Sequence, residues 1–251
     1  MTTDDHIWDA LRQLTAARIG LKRTGAAIST APLLEFRLAH ARARDAVQEP
    51  LEAARLATEL ATLGCPIVTV ASAAEDQSAY LMRPDLGRQL GAEASAALAT
   101  HRGEYGTVFV VADGLSAGAV MRHAGPVLAR ALPALRAQGW TIAPLVVVRH
   151  GRVAVGDAIA NAVGAECVAL LIGERPGLTA PDSMGAYLTW HPHAGSSDAD
   201  RNCISNIRPA GIRYEAASFK IVHLLQAMRA RRLSGVRLKD ESDRLLIGDA
   251  G

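Results

Sequence analysis

The sequence predicts an α/β fold: a mostly parallel, doubly wound sheet with a small helical N-terminal domain ahead of it. Three observations predict it. Four short apolar runs, 67–70 (IVTV), 108–112 (VFVVA), 145–148 (LVVV) and 167–172 (CVALLI), are continuous and rich in β-branched residues. Strands buried on both faces of a parallel sheet have this pattern. Stretches with helical character, at about 86–101, 117–137 and 157–164, separate the runs. Ahead of Pro66 the chain carries no such run. The division that follows is a helical domain over 1–63 and an α/β domain over 64–251.

Taken in order, Ile7, Leu11 and Leu14 recur at helical spacing, and Gly20 and then Thr24-Gly25 interrupt. Ser29-Thr30-Ala31-Pro32 is a helix start, with Pro near the first helical position. The helix that follows places Leu34, Leu38 and Ala41 on one face. Arg37, His40 and Arg44 fall on another, solvated or facing a partner. A third helix, 51–63, stops at Gly64-Cys65-Pro66. After the last strand, an amphipathic helix at about 215–233 carries Ala217, Ile221, Leu225 and Met228 on one face. Gly235 stands where a C-capping glycine belongs. The charged tail from Lys239 to Gly251 is expected to be loose.

Composition narrows the function classes. A hydrophobic fraction of 49% over 251 residues supplies a sizeable core and excludes general disorder. The 27 basic and 25 acidic residues nearly cancel, so charge gives no mandate for nucleic acid or an anionic membrane. No apolar run approaches the roughly 20 residues of a spanning helix. The polar, acidic start lacks the basic and apolar regions of a secretory signal. Cys65, Cys167 and Cys203 form no CxxC pair, which argues against a disulfide framework or a thiolate zinc site and for a reducing compartment, the cytoplasm.

In open α/β sheets, ligands bind outside the carboxyl ends of the strands. Three Gly-containing segments follow predicted strands: Asp113-Gly-Leu-Ser-Ala-Gly118, 149–157 (RHGRVAVGD) and Gly173-Glu-Arg-Pro-Gly177. If the strands are parallel, all three line one edge. Gly114-Leu-Ser116-Ala-Gly118 fits the G-x-S-x-G nucleophile elbow of α/β serine hydrolases, with Asp157 or Asp182 and His191 or His193 to complete a triad. The plainer reading gives the glycines a tight turn and Ser116 a helix cap. Glu174 ends a buried strand and needs partners, either an arginine such as Arg175 or the N–H groups of a ligand. Cys203 is a small core residue or a reactive thiol. His191 and His193 could meet a metal, but no third ligand stands nearby in sequence, so no metal site is assigned. The D-x-H-x-x-G motif of base-off cobalamin enzymes is absent; Asp4-Asp-His6-Ile-Trp-Asp9 only approximates it.

Five ordered motifs together resemble the small (light) subunit of ethanolamine ammonia-lyase. They are Tyr80-Leu-Met-Arg-Pro-Asp-Leu-Gly-Arg88, Asp113-Gly-Leu-Ser116, Gly151-Arg-Val153, Gly173-Glu-Arg-Pro-Gly-Leu178 and Asn202-Cys-Ile-Ser-Asn-Ile207. Leu34-Glu-Phe-Arg-Leu-Ala-His-Ala-Arg42 is similar to the family's N-terminal part. The resemblance implies a Rossmann-like domain in an adenosylcobalamin-dependent lyase that converts ethanolamine to acetaldehyde and ammonia by radical chemistry. It implies a large barrel subunit as partner, six copies of each chain, ethanolamine bound mainly by the large subunit, and a base-on cofactor between the two. Carried over by motif, the cofactor-binding residues are Val153, Glu174 and Cys203, with Asp113, Ser116 and Arg175 as secondary candidates. No catalytic residue is assigned to this chain, since homolysis of the cofactor's cobalt–carbon bond supplies the chemistry. Some members carry an N-terminal extension linked to packaging in a bacterial microcompartment. The family-like part starts here within about the first twenty residues, so both a microcompartment and the cytoplasm are expected locations.

Overall fold

The computed structural model describes residues 3–15 and 17–242. In chain order the elements are α1 (Thr3–Leu14), a two-stranded ribbon of β1 (Arg23–Thr24) and β2 (Ala27–Ile28), α2 (Thr30–Gln48), α3 (Ala53–Ala61), β3 (Ile67–Ala71), α4 (Gln77–Met82), α5 (Ala92–Ala99) and β4 (Tyr105–Ala112). Next come α6 (Ala117–Ala137), β5 (Leu145–Arg149), α7 (Val155–Val163), β6 (Ala165–Gly173), β7 (Met184–Trp190), β8 (Arg201–Ile207) and α8 (Tyr214–Arg231).

The large sheet has the order β3-β5-β4-β6-β7-β8. The four runs read as strands pair parallel, β3 with β5, β5 with β4 and β4 with β6. They are joined by helices on alternating faces, so the fold is α/β with a mostly parallel, mixed sheet. One face packs on α3, α6 and α8, with Leu60, Leu128, Leu171, Leu188 and Leu225 in its core. The other packs on α5 and α7, around Leu98, Val110, Val146, Ile159 and Leu170. Each buried CH₂ in these layers contributes about 0.8 kcal/mol.

Several expectations are corrected. The stretch 86–101 is not one helix. It holds a 3₁₀ turn at Leu86–Arg88 and then α5. Between them Gln89 and Gly91 bond along the margin of β3, through Ala73 N–H to Gln89 O and Gly91 N–H to Ala71 O, and that extended pairing interrupts the helix. α8 is capped in left-handed conformation by Arg232 (φ 53°), while Gly235 (φ 73°) opens a 3₁₀ turn at Gly235–Arg237. On α2, Leu34 and Leu38 are 57% and 52% exposed, and only Ala43 is buried. α2 therefore presents its apolar residues outward; Arg37, His40 and Arg44 are exposed too. Of the charged tail, residues 243–251 lie outside the described part. Ahead of them Ser242 is buried, and the Lys220 ammonium donates to Asp240 (3.1 Å) and Ser242 (2.9 Å).

β7 and β8 were not expected as strands. Both are antiparallel to their neighbours, with a bulge between Met184 and Ala186. Their apolar residues alternate: Met184, Ala186, Leu188 and Ile204 face α8, while Gly185, Tyr187, Arg201, Cys203 and Ser205 point to the other side.

Candidate functional site

The carboxyl ends of β4, β5 and β6 do meet at one edge. At its centre the buried Asp113 carboxylate accepts from three backbone N–H groups: Gly114 (2.9 Å), His150 (2.7 Å) and Gly151 (3.0 Å). One side chain thus ties the loop after β4 to the loop after β5. Burial pushes the Asp113 pKa up from the usual carboxylate range, opposed by those N–H donors. Gly114 has φ +58°, and a Cβ there would strike Gly173 at the end of β6; a Cβ on Gly173 would strike Ser116 and Asp113 in return. These two glycines let the β4 and β6 ends close on each other. His150 adopts φ 56°, unusual for a non-glycine residue, and is held there by Asp113 and by an Nδ1 contact to Ala74 O (3.2 Å).

The Gly151-Arg-Val153 segment is braced from below by the Tyr80–Arg88 motif. Arg152 N–H donates to Gly87 O (2.7 Å), its guanidinium donates to Tyr80 O (3.0 Å), and it stacks 4.3 Å from the Tyr80 ring centroid. The buried Tyr80 hydroxyl donates to Gly151 O (3.3 Å). Val153 follows at the entrance to α7, half-buried against the α5/α7 core. Tyr80 was visible in sequence only as part of a motif; its role as a brace needed the fold.

Glu174, just past β6, pairs with no arginine in the described structure. Both its oxygens accept from Asn206 N–H, at 3.2 and 3.1 Å. It lies over Gly185, where a Cβ would stand 3.0 Å from a carboxylate oxygen and 3.4 Å from the Tyr187 ring. Cys203 is not in a loop. It is exposed in mid-β8, in register with Tyr187 of β7. Partial desolvation beside Tyr187 and the nearby Glu174 charge push the thiol pKa up. Tyr187 packs on the same apolar cluster as Val153. Glu174 and Cys203 therefore border one surface, the side of β7 and β8 away from α8, and Val153 lies at the start of α7 on the same layer. The spacing of the motifs along the chain gave no sign of Tyr187, the residue between them.

A buried ion pair fixes the two margins of this surface. Arg201 of β8 binds Asp157 of α7 bidentately, both bonds 2.6 Å, and also donates to Thr189 of β7 (3.0 Å). Both partners are buried. Of the secondary candidates, Asp113 and Ser116 are buried in the edge and Arg175 is exposed.

The residues of the hydrolase triad are not brought together. The Ser116 hydroxyl donates to Pro181 O (3.2 Å). Asp157 is taken by Arg201, and Asp182 pairs with Arg122 (3.4 Å). β7 runs antiparallel to β6, with Trp190 opposite Cys167 at the start of β6, so His191 and His193 follow at the far edge from Ser116. His123 lies nearer, but its Nε2–H donates to Asp182 O and its Nδ1 accepts from Tyr214 (both 2.9 Å), leaving neither nitrogen for Ser116. Among the described residues, no helix is long and apolar enough to cross a membrane.

Comparison with known proteins adds a family. The model described as ethanolamine ammonia-lyase light chain (EutC) matches residues 5–239. Curated relatives named ethanolamine ammonia-lyase small subunit include one from Ralstonia nicotianae, 48% identical over 246 residues, covering 96% of this chain and 91% of the relative. Another, from Azotobacter vinelandii, is 50% identical over 248 residues, covering 97% and 92%. A third, from Xanthomonas campestris pv. campestris, is 51% identical over 246 residues, covering 96% and 90%.

Proposed function

This chain belongs to the ethanolamine ammonia-lyase light-chain family, and from that premise we propose that the partly exposed side of β7 and β8 around Tyr187 and Cys203 is one wall of an adenosylcobalamin site completed by a large subunit. The Rossmann-like reading of the α/β unit is part of the same proposal. The observation that supports it is that Glu174 and Cys203, from two separated motifs, both lie beside Tyr187, with Val153 on the same layer at the start of α7.

The residues present fit a corrinoid. Such a molecule offers a rim of amide groups, a phosphate and apolar planar surfaces. Glu174 lies in the space that the missing Gly185 side chain leaves, held by a single backbone N–H, so its carboxylate retains lone pairs for amide donors. Tyr187 supplies apolar area beside it, and Val153 adds apolar area at the start of α7. The neutral Cys203 thiol adds no charge to an apolar contact.

When bound, the cofactor supplies the radical chemistry of the deamination. This chain's part is binding, orientation and exclusion of water. Glu174 would hold the cofactor by accepting from its amide N–H groups. Asp113 and the Tyr80–Arg152 pair fix the backbone that presents Val153. The Asp157–Arg201 bridge holds α7 and β8 at a set separation. Ethanolamine turnover requires the large subunit, which binds most of the substrate, in an assembly of six copies of each chain.

Glu174→Gln in the two-chain complex tests the reading. Removing the charge is expected to weaken cobalamin binding by about 1–3 kcal/mol, the range for a hydrogen bond to a charged group. Equilibrium dialysis measures it. Unchanged affinity in a folded complex would argue against the site.

A further inference from the structure

We infer that Tyr187 is a fourth residue of this face that touches the cofactor, presenting its ring to a planar apolar surface of the corrinoid; the inference rests on the reading proposed above. Tyr187 is the residue beside which Glu174 and Cys203 both lie. It stands opposite Cys203 in the β7–β8 ladder. It is the next residue on the same side of β7 as Gly185, so its ring borders the space that Glu174 occupies. With Val153 it packs on the margin of the α5/α7 core.

Position alone would fit a packing residue, but the surroundings go further. α8 covers β7 and β8 from the opposite side, through Ala186, Leu188 and Ile204. On this side Cys203 and Ser205 are exposed and Tyr187 is only half-buried. A large aromatic ring thus stands at the edge of an otherwise small and polar stretch of sheet. The ring stands opposite Cys203 in the ladder and packs on the α5/α7 core, which limits its freedom to rotate into solvent. A ring held in this way offers flat apolar area at little cost in side-chain order on binding.

The test is titration of cyanocobalamin into the co-purified two-chain complex, with affinity read by dialysis and absorbance and folding by thermal melting. Tyr187→Phe keeps the ring and is expected to bind within about threefold of the unaltered complex. Tyr187→Ala and Tyr187→Leu lose the planar surface and are expected to bind at least about tenfold more weakly, the loss of one well-packed aromatic contact. Leu retains apolar volume, so it keeps the test valid if Ala disturbs the strand. Unaltered affinity in folded Tyr187→Leu, alongside weakened Glu174→Gln, overturns this inference and leaves the wider reading intact. Unaltered affinity in Glu174→Gln as well overturns both.

Discussion

His123 carries the clearest pH signature at the level of single residues. It is buried in α6, and because Asp182 O can only accept, Nε2 holds the proton and Nδ1 accepts from Tyr214. Burial lowers its pKa from the ordinary 6.5; Asp182 opposes the shift, while the charges of Arg122 and Arg208 add to it. The folded state therefore binds fewer protons than the unfolded state between the lowered value and 6.5. Stability is fully present above that ordinary value and falls as pH drops through the folded one. His123→Ala is expected to cost about 1–3 kcal/mol at pH 8, from the two partners left unpaired. Its stability should also fall less than that of the unaltered protein between pH 7 and pH 5.5. Urea melts at the three pH values measure both effects. Because His123 and Ser116 hold the two ends of Pro181-Asp182, they also anchor the far end of the loop that begins at Glu174.

Among elements, the join between α7 and β8 is the sensitive one. A bidentate pair buried on both sides leaves an uncompensated charge when one member is removed. Asp157→Ala is expected to destabilise the fold by about 3–5 kcal/mol, and the double replacement Asp157→Leu with Arg201→Met by clearly less. Denaturant melts of the two variants and the unaltered protein decide it; equal losses in both variants would contradict the account. Legibility in the sequence also divides by element. β3 to β6 were readable because both their faces are buried, which writes a continuous apolar run. β7 and β8 were not, because small or polar residues interrupt their apolar positions, Gly185, Tyr187 and Thr189 in β7 and most of the outer side of β8. In 201–207 (RNCISNI) just Ile204 and Ile207 mark the core, and a polar segment results. The carboxyl-edge loops were legible from their glycines. The face that joins them was hidden, because it is made by the two strands whose pattern is weakest.

For the molecule as a whole, the distribution of apolar surface points outward to a partner. Leu14 is 84% exposed, and Leu34, Phe36 and Leu38 of α2 lie on the surface with the Arg37, His40 and Arg44 cations. β8 is exposed at Cys203 and Ser205 as well. Scattered exposed leucines are ordinary, but a helix that buries only one alanine along 19 residues gains little from packing on its own chain. Such surfaces suit a chain that completes its structure and its site with another polypeptide.

The central claim is that the partly exposed side of β7 and β8 is one half of a corrinoid site. The most direct measurement is the cyanocobalamin affinity of the two-chain complex carrying Cys203→Trp. An indole placed on exposed β8 extends over the face without entering the core. The account predicts an assembled complex whose affinity is at least about tenfold weaker, a loss of roughly 1.4 kcal/mol or more. An assembled complex that binds cyanocobalamin as tightly as before would contradict it.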